Sequence, residues 1–148
     1  MLEIFDQTTM PQFLRKREAV HTISISVKGK ITFNTALIRH LGLDVASKIA
    51  FVCYDKQLYF IPNYKNGYPL RTSKMTPEGP KDLLFAHQQL ADYIIGQIPE
   101  KIRNAHPRIT TYRIMVSKVH ETVQIPNGDF MNVYPIITNS ATFTARKK

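Results

Sequence analysis

The chain has 148 residues, of which 43% are hydrophobic, and 20 Lys and Arg against 11 Asp and Glu give a net charge of +9 at pH 7. This length and apolar content indicate a globular protein of one domain or two small ones, and no run approaches the roughly 20 apolar residues of a membrane-spanning helix. The single cysteine, Cys53, excludes an internal disulfide, and the basic charge favours a polyanionic partner, of which nucleic acid is the commonest.

Residues 1–20 are predicted to form an N-terminal arm that carries a basic cluster. Early acidic residues and the late position of this cluster do not fit a signal peptide. Together with a reduced, buried Cys53 thiol, this indicates a cytoplasmic protein. Arg15, Lys16 and Arg17 are candidate DNA contacts in an arm that reaches along a groove, and a solubilising segment is the alternative.

A β-hairpin is predicted over residues 21–33. In 21–27, apolar residues alternate with small polar ones, which is typical of a strand with one buried face. Lys28-Gly29 forms the turn, because glycine tolerates the positive φ of tight hairpins, and the chain returns as a second strand over 30–33.

A short helix is predicted next, with Asn34 or Thr35 as its N-cap and Gly42 as the left-handed residue that ends it. Leu37 and Leu41 lie at helical spacing on its apolar side. We expect both leucines to be core residues at a dimer interface.

Two further strands are predicted over 48–54 and 57–61, separated by the turn residues Asp55-Lys56. The composition then changes, because Pro, Gly and polar residues become frequent. Residues 63–80 are therefore predicted to be a linker.

The C-terminal region, 81–138, is predicted to combine a helix with a small antiparallel sheet. An apolar stripe at helical spacing favours a helix over 81–98. Three strand-like runs follow, at 109–119, 121–125 and 130–137. Arg108, Arg113 and Lys118 follow one another at a spacing of five and so do not share a strand face, which gives little support for a coherent basic patch. Residues 139–148 are predicted to be a basic tail.

One part of the chain follows a known sequence pattern. Its residues are Gly29-Lys30-Ile31-Thr32-Phe33-Asn34, then Leu37-Ile38-Arg39, then Leu41-Gly42-Leu43. With these motifs, residues 21–62 resemble the AbrB/SpoVT/MazE family of swapped-hairpin DNA-binding domains, whose pattern is Gly-Arg-(Val/Ile)-(Val/Thr)-(Ile/Leu)-Pro, then Leu-Arg, then Leu-Gly-(Ile/Leu). The match has no gap and covers under a third of the chain.

The resemblance implies a homodimer in which two chains interleave their hairpins into one barrel-like core, because about forty residues alone bury too little surface. It also implies that Lys30 and Arg39, at basic positions of the family, face double-stranded DNA, with Lys28 in the preceding turn. Asn34 stands where the family has proline and can still cap the helix. Ile38 replaces a basic residue of the family, which implies weaker or less selective binding.

No catalytic, cofactor or metal site is predicted. The five histidines are scattered, and Cys53 has no partner at the spacing of metal ligands. The sequence contains no paired carboxylates, no Gly-rich phosphate loop and no nucleophile motif.

The sequence therefore predicts an α+β protein, with a swapped-hairpin β-barrel DNA-binding domain at 21–62 and a helix-plus-sheet domain at 81–138. The second domain would serve oligomerisation, effector sensing or a protein partner. The predicted function is a non-enzymatic transcriptional regulator or antitoxin-like repressor that acts as a dimer on double-stranded DNA, with no membrane contact. Two alternatives stay open: a phage-type structural or assembly protein, and a single-stranded nucleic-acid-binding protein in which tyrosines stack on bases. These tyrosines are Tyr54, Tyr59, Tyr64 and Tyr68.

Overall fold

The computed structural model of the protein describes residues 20–124 and 128–146. In these residues the strands are β1 Thr22–Ser26, β2 Lys30–Phe33, β3 Lys48–Tyr54, β4 Gln57–Ile61, β5 Tyr68–Pro69, β6 Met75–Thr76, β7 Gly79–Pro80, β8 Leu83–Ala86, β9 Ile109–Val116, β10 Glu121–Gln124 and β11 Phe130–Ala145. The helices are α1 Thr35–Leu41, α2 Gln88–Gly96 and α3 Glu100–Arg103.

Nine of the strands form one antiparallel sheet that nearly closes into a barrel. Their order is β5-β3-β4-β11-β9-β1-β2-β8, and β10 pairs with β11. Just beyond β5, Arg71 exchanges backbone hydrogen bonds of 2.9 and 2.8 Å with Leu84 of β8, so the two ends of the strand order meet. Of the predicted α+β fold with a β-barrel, the coarse part is confirmed: the described residues are mostly antiparallel sheet that nearly closes into a barrel, with few helices.

The regions 21–62 and 81–138, predicted as separate domains, contribute strands to the same sheet. β1 lies between β2 and β9, β2 pairs with β8, and β4 pairs with β11. One hydrophobic cluster takes its buried side chains from both regions. The β1–β2 hairpin thus finds partners for both of its edges within its own chain, which supplies the buried surface that about forty residues alone lack.

Helix α1 forms where the sequence predicts it and closes one end of the barrel. The Asn34 side chain accepts a hydrogen bond from the Leu37 N–H at 3.0 Å, and Gly42 ends the helix with a φ of 66°. Asn34 also accepts the N–H of Thr22 at 3.2 Å, which holds α1 against the start of β1. Leu37 and Ile38 are buried in the core.

The predicted helix at 81–98 is wrong at its start, where Leu83–Ala86 is strand β8. The apolar residues of this segment fit both a helical stripe and a buried strand. The segment forms a strand because it pairs with the edge of β2. The His87 side chain caps the first turn of α2. At the start of α2, Gln88 Nε2 donates to the Val27 carbonyl at 3.0 Å, so α2 lies at the barrel end opposite to α1.

Three other segments differ from the predictions. The predicted linker at 63–80 contains the short strands β5, β6 and β7. Residues 139–145, predicted as part of a tail, continue β11 because they pair with β9, while residues 147–148 lie outside the described residues. The Cys53 thiol is exposed rather than buried, because β5 pairs only with the other end of β3 and leaves this end at an open edge.

The β3–β4 turn holds two non-glycine residues in the left-handed conformation. The φ angles are 51° at Asp55 and 66° at Lys56, which in a two-residue hairpin loop is a type I′ turn that favours Asn-Gly. We expect the variant Asp55→Asn, Lys56→Gly to be more stable by about 1 kcal/mol, because glycine adopts this conformation without steric cost.

Urea unfolding followed by circular dichroism measures this gain. Lys56→Ala is the matched control, since it removes the same side chain but keeps a Cβ, and it should give no gain. A double variant that unfolds at the same urea concentration as the parent would contradict the strain assigned to this turn.

Candidate nucleic-acid interface

The outward side of β1, β2 and β9 is rich in hydroxyl groups. Along β1 the isoleucines point into the core, so Ser24 and Ser26 point outward. In the sheet register Ser24 lies between Thr32 of β2 and Arg113 of β9, and Thr142 of β11 lies on the other side of Arg113. Strand alternation therefore surrounds Arg113 with hydroxyl groups on the barrel surface.

Exposed cations from separate segments of the chain surround these hydroxyl groups. They come from the β1–β2 turn, from β2, from the residues before β8, from the start and middle of β9, and from the end of β11. We call this surface the basic face and define it by Lys28, Lys30, Lys81, Arg108, Arg113, Arg146, Ser24, Ser26, Thr32, Thr111 and Thr142.

Two open clefts lie in the basic face. The first, which we call the Arg113 cleft, has a volume of about 330 Å³ and brings Lys81 and Arg113 together. The second, the Arg146 cleft, has a volume of about 570 Å³ and brings together Lys28, Arg108 and Arg146. The two clefts are neighbours, because β1 contributes outward residues to both.

Asp82 is the one carboxylate among the described residues that line the two clefts. Burial alone would raise its pKa, but hydrogen bonds from Ser73 and Thr72 and the charge of Lys30 outweigh burial and lower it. The Ser73 N–H and hydroxyl donate to the two carboxylate oxygens at 2.9 and 2.7 Å. Asp82 is therefore ionised at neutral pH and fastens the loop before β6 to the edge of the Arg113 cleft.

Two of the predicted DNA contacts, Lys28 and Lys30, lie together on the basic face. Arg39 lies apart from them on α1, beyond the other end of β2, and its guanidinium is 3.8 Å from the Glu78 carboxylate. Arg39 lines neither cleft. The remaining predicted contacts, Arg15, Lys16 and Arg17, lie outside the described residues.

Four cations of the basic face were not among the predicted contacts: Lys81, Arg108, Arg113 and Arg146. Arg108 and Arg113 are five positions apart in the sequence, so simple strand alternation places them on opposite sides of the sheet. The register of β9 against β11 shifts between Ile109 and Thr111, which leaves Thr110 as an extra residue. This bulge brings both arginines to the basic face, and no local sequence signal marks it.

The tyrosines of the single-strand alternative lie elsewhere. Tyr59 is buried, and the ring of Tyr68 stacks on Phe85 with centroids 4.9 Å apart. Tyr64 is half-buried, and Tyr54 is exposed at the β3–β4 turn. None of these four tyrosines lines either cleft. The described residues that line the clefts offer hydrogen-bond donors and include no exposed aromatic side chain.

Three further findings concern metal binding, membrane-spanning helices and similarity to known proteins. Among residues 20–124 and 128–146, no three His, Cys, Asp or Glu side chains are grouped so that they could hold a metal ion. Within the same ranges, no helix combines the length and the apolar character needed to cross a membrane. No family model, curated protein or solved structure matches the chain. The basic face is therefore the structural feature that bears on the function of the protein.

Proposed function

We propose that the protein binds double-stranded DNA through the basic face and acts as a transcriptional regulator or antitoxin-like repressor in the cytoplasm. The observation that carries the proposal is the collection of exposed lysines and arginines from several chain segments on one surface. Among the residues that the structure describes, Asp82 is the one acidic side chain lining its clefts, and its oxygens already accept hydrogen bonds from Ser73. Such a surface attracts the phosphates of nucleic acid.

The chemistry of the basic face suits the DNA backbone. Arg113 has a planar guanidinium that can donate two hydrogen bonds to one phosphate, and the lysines add positive charge. The flanking Ser and Thr hydroxyls also donate to phosphate oxygens. These groups position a duplex and need no cofactor or catalytic group, so we propose a binding protein rather than an enzyme.

The residues that line the clefts favour duplex DNA over single-stranded nucleic acid as the ligand. Single-stranded nucleic acid is held largely by stacking of bases on exposed aromatic rings. The described residues that line the clefts include no exposed aromatic ring, and Tyr59 and Tyr68 are engaged in packing. A duplex, whose bases are already stacked and whose phosphates face outward, fits the basic face better. A structural or assembly role without nucleic acid would not explain why the cations are collected on one face.

The resemblance to swapped-hairpin domains adds a homodimer to the proposal. In the chain described here, β1 pairs with β9 and β2 pairs with β8. Exchange of the β1–β2 hairpin between two chains would keep both pairings, because the partner supplies the same two strands. Exchange would also double the number of basic faces in one particle, each still carrying Lys28 and Lys30.

Salt-dependent DNA binding tests the proposed function. Fluorescence anisotropy with a labelled duplex and with one of its strands gives the two affinities over a series of salt concentrations. We expect preferred duplex binding and a slope of log K against log salt near −5, from roughly 0.9 per phosphate contact and about six contacts. Tighter binding of the single strand would favour the single-strand alternative, and no binding of either would favour the assembly protein.

A further inference from the structure

The Arg146 cleft concentrates positive charge around one cavity. Lys28 comes from the β1–β2 turn, Arg108 precedes β9, and Arg146 follows β11. Within residues 20–124 and 128–146, no carboxylate lines this cleft. All three side chains are exposed, and none forms an ion pair with a carboxylate of the described residues.

Backbone hydrogen bonds hold the walls of this cleft in place. The Arg146 N–H donates to the Arg108 carbonyl at 2.9 Å, and the Val27 N–H donates to the Thr110 carbonyl at 3.0 Å. The first bond joins the end of β11 to the start of β9, and the second joins the β1–β2 turn to the same strand. The three cations therefore approach the cavity from a connected framework rather than from independent loops.

The charge and shape of the cleft indicate its ligand. A phosphate monoester carries about 1.5 to 2 negative charges at pH 7, whereas a phosphodiester inside a strand carries one, so three converging cations suit a monoester better. The cleft also has an apolar wall made by Val27 and Ile109. Its volume of about 570 Å³ is in the range of small-molecule sites and has room for a sugar beside the phosphate.

We propose that the Arg146 cleft binds the terminal phosphate monoester of a DNA strand. This inference rests on the proposed function, because it assigns a strand end to one part of the basic face. Arg108 and Arg146 donate hydrogen bonds to the phosphate oxygens, and Lys28 adds the third charge. The sugar of the end nucleotide lies against Val27 and Ile109. The Arg113 cleft, with fewer cations and with Asp82 at its edge, holds internal phosphodiesters.

Matched duplexes test this assignment. One short blunt duplex carries phosphates on all of its 5′ and 3′ ends, and the other has the same sequence with hydroxyl ends. We expect the parent protein to bind the phosphorylated duplex about tenfold more tightly, because the added charge-assisted hydrogen bonds are made only there. In the Arg108→Ala, Arg146→Ala variant this ratio should fall to about one.

Lys65→Ala, Lys101→Ala is the control, since both lysines are exposed and line neither cleft. It removes two positive charges and should keep the tenfold ratio. Thermal melting checks that each variant is folded. If the arginine variant does not fold, Lys28→Ala is used in its place and should reduce the ratio of the two affinities. Equal binding of both duplexes by the parent would overturn the assignment.

A separate measurement shows whether the Arg146 cleft binds a phosphate monoester even if the protein does not bind DNA. If the parent binds neither duplex, the proposed function fails, and calorimetry with a nucleoside monophosphate and with the matching nucleoside examines the cleft alone. Binding of the monophosphate by the parent but not by the arginine variant supports the phosphate monoester site and makes a free nucleotide its source. Binding of neither compound overturns the site as well.

Discussion

Replacement of Leu37 by Ala should lower the free energy of unfolding by about 3 to 5 kcal/mol, near the upper end for a buried leucine. Leu37 is fully buried, and it lies on α1 where that helix closes one end of the barrel. Removing its side chain leaves a cavity that the surrounding strands cannot fill, because they are fixed by their pairing. Urea unfolding followed by circular dichroism measures the change.

Leu41→Ala is the matched control, because Leu41 is on the same helix but is only half-buried against the core. It should cost about half as much, in proportion to the smaller apolar area removed. Equal losses for the two variants, or no loss for Leu37→Ala, would mean that α1 does not pack as described.

The same unfolding experiment at several protein concentrations tests the proposed homodimer. Leu37 is buried in either arrangement, since exchange of the hairpin keeps every strand pair. If two chains exchange the hairpin, the unfolding midpoint rises with protein concentration, because unfolding then also separates the chains. A midpoint that is independent of concentration would remove the dimer from the proposed function and leave the basic face unaffected.

The parts of the fold that could be predicted are those set by neighbouring residues. The Asn34 cap, the left-handed Gly42 and the Lys28-Gly29 turn all depend on contacts within a few positions. The alternation of β1 likewise follows from its own sequence. The strand at Leu83–Ala86 could not be predicted, because its apolar residues satisfy both periodicities until the free edge of β2 is known.

The residues of the candidate site likewise fall into two groups, those that the local sequence places and those that long-range strand pairing places. Lys28 and Lys30 lie on a hairpin with a strong local signal, and the sequence placed them side by side. Arg113 and Arg146 join them only through long-range pairing of β1 with β9 and of β9 with β11. The bulge at Thr110, which brings Arg108 to the same face, is visible only once the register of two distant strands is known.

The variant Lys30→Ala, Arg113→Ala should weaken duplex binding about a hundredfold at low salt, from roughly tenfold for each charge-assisted contact. Both side chains are exposed, so the melting temperature should stay close to that of the parent. The slope of log K against log salt should become shallower by about 1.8, because two phosphate contacts are lost. Anisotropy at matched salt measures both quantities.

Arg39→Ala tests whether DNA also contacts Arg39 on α1, as the family resemblance implies, or only the basic face. The Arg39 guanidinium lies 3.8 Å from the Glu78 carboxylate, which offsets part of its charge, so we expect a smaller loss of affinity than for Arg113→Ala. A larger loss would extend the interface onto α1.

Lys65→Ala, Lys101→Ala is the control for Lys30→Ala, Arg113→Ala. It removes as much charge as that variant and should change the affinity little. If Lys30→Ala, Arg113→Ala binds the duplex as tightly as the parent at the same salt, the basic face is not the DNA-binding surface.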